Sequence, residues 1–168
     1  MENPMSYLRS AAMIATSTVV MFGLMYLNTF AIDHVFWSQT RAWMAPLMGA
    51  TMAVIMLLFM LKMYENRTAN MAILAGAVVL FAGSLWLVRS QATVSDVDYM
   101  KAMIPHHSIA IMTSARAHIK DPRVRDLADG IIKAQVREID EMKALISDLE
   151  ANPPSSSSPD LPPGVATQ

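Results

Sequence analysis

The chain has 168 residues, 54% of them apolar and only 16% charged, an unusual balance for a soluble domain of this length. Its formal net charge of −1 gives no electrostatic case for binding nucleic acid. The lack of cysteine excludes disulfides, thiolate zinc sites and thiolate-held iron–sulfur clusters, without identifying a compartment.

Three apolar runs account for the composition. They cover roughly residues 10–32, 44–61 and 71–88, each close to the roughly 20 helical residues that cross a hydrocarbon core about 30 Å thick. The expected organisation is all-α: a membrane domain of three transmembrane helices over 1–90, an antiparallel two-helix hairpin over 91–150 and a disordered Pro/Ser-rich tail over 151–168. The first run follows a short polar start with Glu2 and Arg9 and is too long for a signal-peptide core, so it reads as a retained anchor. The loop Asp33-His-Val-Phe-Trp-Ser-Gln-Thr-Arg-Ala-Trp43 carries Trp37 and Trp43, which suit an interfacial aromatic belt.

The second run holds Met44, Met48, Met52, Met56 and Met60 at constant i+4 spacing. Such a row drifts about 40° per step and forms a slanted stripe on one face. Ten methionines, from Met13 to Met71, lie in or beside the apolar runs, where Met is an adaptable filler. The stripe therefore reads as helix packing rather than as a path for a metal ion. No run contains an internal Asp, Glu, Lys, Arg or His, so no ion or proton relay is visible. Basic residues near the run ends divide evenly, Arg9, Lys62 and Arg67 against Arg41, Arg89 and Lys101, and the positive-inside rule leaves orientation open.

From Ser95 the pattern becomes that of a soluble helix. Ser95-Asp-Val-Asp98 is an N-cap with an acid three residues on, opening a helix expected to reach about Ile119. Asp121-Pro122 supplies the next cap and a proline at the first helical position. The second helix is expected to run to about Leu149, with Val124, Leu127, Ile131, Gln135, Glu138, Met142, Leu145 and Leu149 along one stripe. A connection of two or three residues folds the pair back antiparallel. Pro105 falls inside the first helix, removes the bond to the Lys101 carbonyl and predicts a kink. A lone hairpin of this size buries too little to be stable, so a second copy completing a four-helix bundle is the expected partner.

Chemistry concentrates in Met100-Lys-Ala-Met-Ile-Pro-His-His107. Met100, Met103 and His107 share one helical face, and His106 lies about 100° round the axis. Counting from the turn sets His107 opposite Gln135, Met103 opposite Glu138 and Met100 opposite Met142, so thioethers and imidazole line one seam. Soft sulfur beside imidazole suits copper, with Cu(I) preferred over Cu(II). Glu138 is expected either as an outer acceptor that orients an imidazole or as one half of a helix-surface ion pair. His34 and His118 have no sulfur nearby and read as ordinary. No Glu precedes a His by three residues, as in di-iron bundles, and no nucleophile–base pair or phosphate loop occurs. Binding rather than catalysis is expected.

The pattern Met100-x-x-Met-Ile-Pro-His-His107, followed by Ala110-Ile-Met112, Leu127-Ala128, Ile131-Ile132, Gln135 and Glu138-Ile-x-x-Met142, resembles the family catalogued as domain of unknown function 305 over about residues 95–147. The resemblance implies a ferritin-like helical bundle and, as in some members, an exported or periplasmic copper-binding protein with Met and His ligands. By matching positions it implies Met100, Met103, His106, His107 and Met142 as metal ligands, with Gln135 and Glu138 as polar neighbours. It also implies a C-terminal part outside the cytoplasm at a bacterial inner or plasma membrane. The expected function is thus a membrane-anchored protein that captures or buffers copper. The alternative is a non-catalytic oligomerisation module whose Met and His residues serve packing. Single-hairpin organisation and three membrane spans depart from some relatives and count against a freely diffusing monomeric carrier.

Overall fold

The computed structural model describes residues 5–155 and 157–161. Among the described residues there are five α-helices and no strand: α1 (Met5–Leu24), α2 (Gln39–Phe59), α3 (Arg67–Ser90), α4 (Asp96–Arg116) and α5 (Pro122–Ala151). The first three are long and apolar enough to cross a membrane.

Their ends differ from the apolar runs, and capping chemistry, not hydropathy, sets the starts of α2 and α3. α1 ends at Leu24 rather than at 32. There the chain turns around Tyr26, whose hydroxyl accepts from Ser38 N at 3.0 Å and whose ring lies 4.5 Å beneath the Arg41 guanidinium. α2 begins at Gln39 rather than 44 because Ser38 Oγ accepts from Arg41 N at 3.3 Å. α3 begins at Arg67 rather than 71 because Asn66 Oδ1 accepts from Ala69 N at 3.0 Å.

Both α1 and α3 pack on α2, which lies between them. Gly49 lets α1 approach closely: a Cβ there would stand 2.7 Å from Thr18 Oγ1. Along the methionine stripe Met44 is exposed, and Met48, Met52, Met56 and Met60 are half-buried.

α3 closes on Gln91 in the left-handed conformation, φ 53° and ψ 20°. The capping box then forms as its sequence predicts: Ser95 Oγ accepts from Asp98 N at 3.2 Å, and Ser95 N donates to Asp98 Oδ2 at 3.4 Å. α4 runs as one helix through the buried Pro105. It stops at Arg116 rather than Ile119, because Ala117 is extended (φ −65°, ψ 137°). The connection is therefore residues 117–121, longer than two or three. The Ser114 carbonyl freed by this ending accepts from Arg125 Nη2 at 2.9 Å.

The core of the hairpin is Met100, Ile104 and Ile111 from α4 against Ile139 and Ile146 from α5. The buried face of α5 therefore runs through Ala128, Ile132, Gln135, Ile139, Met142, Ile146 and Leu149. This corrects the expected stripe, in which Val124, Leu127, Ile131 and Leu145 prove exposed. The expected stripe follows the apolar residues of α5 alone, whereas Ile104, without any exposure, chooses which of two neighbouring faces turns inward.

The loop between the first two spans completes this core. Phe36 packs against it, the Ser108 hydroxyl accepts from Phe30 N at 2.7 Å and meets His34 Nδ1 at 2.9 Å, and Lys143 Nζ pairs with Asp33 Oδ2 at 2.6 Å. The hairpin accordingly docks at the end of the spans where this loop and the C-terminus of α3 lie. Of the expected disordered tail, Ala151 belongs to α5, and residues 153–155 and 157–161 form no helix or strand. Positions 156 and 162–168, like Glu2, lie outside the described residues.

Candidate functional site

Regular α-helix over Met100, Met103 and His107 turns all three toward α5 at i, i+3, i+7. Together with Glu138 and Met142 of α5 they line one groove of about 390 Å³. Met100 is its most buried member at 6% exposure, and the other four are half-buried.

The pairing across the groove is shifted by about one helical turn from the expected count, because the longer connection changes the register. His107 Nδ1 lies 3.2 Å from Glu138 Oε2 and not against Gln135. Gln135 stands behind that carboxylate, its Nε2 donating to Glu138 Oε2 at 3.5 Å, and does not line the groove. The buried Nδ1 is close to Glu138 but is not aligned for a hydrogen bond. His106 is exposed and outside the groove lining, with its ring centre 6.3 Å from that of His107.

Burial lowers the His107 pKa below the ordinary imidazole value, outweighing the attraction of the Glu138 carboxylate, and the His106 ring pushes it the same way as burial. At neutral pH the ring is held neutral, the form that has a lone pair for a metal ion. Tyr99, Asp96 and Glu141 also line the groove and were missed from sequence. Asp96 was legible in principle, since it continues the Met100–Met103–His107 face by one turn. Glu141 follows Glu138 by three residues, but its exposed-looking acidic context on α5 gave no separate signal.

Among the described residues no three His, Asp or Glu side chains gather as a metal-binding group. The same groove is lined by three methionines and one imidazole, with carboxylates beside them. His34 is taken up by Ser108, and His118 is exposed.

Residues 87–164 match the family described as "Domain of unknown function (DUF305)". The DUF305 match begins inside α3 and contains α4, α5 and every residue of the groove. The chain is also 32% identical over 97 residues to an uncharacterized protein of Acanthamoeba polyphaga mimivirus, covering 56% of this chain and 62% of that protein. It thus spans less than two thirds of this relative's length. No solved structure matches the chain. Neither the DUF305 description nor the viral relative's name carries an activity, so the functional reading rests on the groove.

Proposed function

We propose that the protein is membrane-anchored and binds a soft metal ion, copper as Cu(I), in the groove between α4 and α5. Its role is to capture or buffer that ion outside the cytoplasm, not to catalyse a reaction. The observation that carries this reading is the meeting of Met100, Met103 and Met142 with a neutral His107 in one groove. Uncharged thioethers are poor ligands for Mg²⁺ or Ca²⁺ and good ones for Cu(I). Glu138, with Gln135 behind it, lies 3.2 Å from His107 Nδ1, close enough to accept from the ring once the imidazole turns to bind a metal. Asp96 and Glu141 add negative charge that draws cations to the opening.

Exposed Val124, Leu127 and Ile131 support a second element of the reading, pairing of the hairpin with another copy into a four-helix bundle. If the groove proves empty of metal in solution, this packing role is what remains.

The test is a Cu(I) competition titration of the full-length protein in detergent. The full chain is needed because Phe36 belongs to the core of the hairpin. Met103→Leu is expected to weaken binding on the order of 10–100-fold, the scale of single changes around metal sites, while leaving helicity unchanged. His107→Ala is expected to weaken it as strongly, and His106→Ala to leave it nearly intact. A folded parent that fails to compete for Cu(I) sinks the reading, and losses confined to His106→Ala would move the nitrogen ligand out of the groove.

A further inference from the structure

A second cavity lies within the membrane-spanning helices, independent of the metal reading. The backbones of α1 and α3 stay apart across α2, leaving between them a groove of about 520 Å³. Ala11, Ala15, Ala53, Gly76 and Ala77 make its walls shallow and apolar along most of its length. Gly76 faces open space: a Cβ added there would meet nothing within 4 Å.

One end is closed by polar groups. The Tyr7 hydroxyl donates to Asn70 Oδ1 at 2.9 Å, Asn70 Nδ2 donates to the Tyr64 carbonyl at 2.7 Å, and the Ser10 and Tyr64 hydroxyls are hydrogen-bonded. The same end carries Arg9, Lys62 and Arg67, all exposed and in none of the ion pairs among the described residues, against Glu65 as the one described acid there. An apolar trough with a cationic end is complementary to an amphiphile with an anionic head.

Water does not suit the apolar stretch, which lacks the two to four polar partners that each molecule needs. At about 520 Å³ the groove falls in the usual range for small ligands, roughly 300–1,000 Å³. We propose that the groove holds an acyl chain of one anionic phospholipid, with its phosphate at the end marked by Arg9, Lys62 and Arg67.

Native mass spectrometry of the full-length protein, released from detergent supplemented with either phosphatidylglycerol or phosphatidylcholine of identical acyl chains, tests this. Retention of one phosphatidylglycerol per chain in clear preference to phosphatidylcholine is expected. Replacing Arg9, Lys62 and Arg67 together by Gln should abolish the preference, at roughly fivefold per charge removed. Gly76→Leu fills the groove from a position with room for it and should expel the lipid. Gly83→Leu, on the same helix, also in open space and outside the groove lining, should keep it. Equal retention of the two lipids by the parent, survival of the adduct in Gly76→Leu, or a second copy of the chain in place of the lipid would each overturn the proposal. The Arg9/Lys62/Arg67 variant alters exposed side chains alone, so it remains informative if Gly76→Leu folds poorly.

Discussion

Burial between α4 and α5 holds the His107 pKa below the ordinary imidazole value of about 6.5, with Glu138 opposing and His106 assisting. In the unfolded chain the same ring takes up its proton near that ordinary value. Between the two pKa values the unfolded state binds more protons than the folded one, so stability rises with pH across that window. The hairpin should therefore be fully stable above about pH 6.5 and lose stability as pH falls below it. Thermal unfolding followed by circular dichroism from pH 5 to 8 reads this slope, which His107→Gln should flatten. An unchanged slope in His107→Gln would mean that the ring is not desolvated in the groove. At this scale the sequence was most informative on α4, where Met100, Met103 and His107 sit within one stretch whose helical period fixes their common face. The partner of His107 was less legible. It depends on the extended backbone of Ala117, and alanine as a residue type carries no signal for ending a helix.

Helices as elements were evident from apolar runs and caps, and their limits and faces were not. Ser38 and Asn66 lengthen α2 and α3 through hydrogen bonds to backbone groups that hydropathy does not weigh. The inward face of α5 was decided by α4, since Ile139 and Ile146 meet the wholly buried Ile104 and its neighbours. Contact between α1 and α2 turns on a similarly mutual fit at Gly49 and Thr18, where an added Cβ would lie 2.7 Å from Oγ1. Gly49→Ala should destabilise the full-length protein in detergent by about 1–3 kcal/mol, the usual cost of forcing atoms into a packed contact. Thr18→Ala in the same chain should recover most of it, because the two side chains compete for one space. Denaturant unfolding of the two single variants and the double variant measures the coupling; strictly additive effects would show that α1 adjusts elsewhere.

For the whole molecule, the exposed row of Val124, Leu127 and Ile131 gives α5 a second apolar face beside the one that packs on α4. If that face pairs two copies, Leu127→Lys with Ile131→Lys should convert a dimer into a monomer by light scattering in detergent, at unchanged helicity, since both positions are exposed. A parent that is already monomeric at micromolar concentration would remove the pairing. How the hairpin meets the spans was invisible in the sequence, because Phe30, Asp33 and His34 find their partners more than seventy residues away. Ser108, the residue after His107, is fastened from its far side to the loop joining the first two spans. The groove is thus tied through Ser108 to that loop. If the protein is anchored in a membrane as proposed, whatever the groove exchanges is met by collision within a lipid sheet or by arrival at its surface, so crowding per unit area, not concentration in a volume, governs how often that exchange occurs.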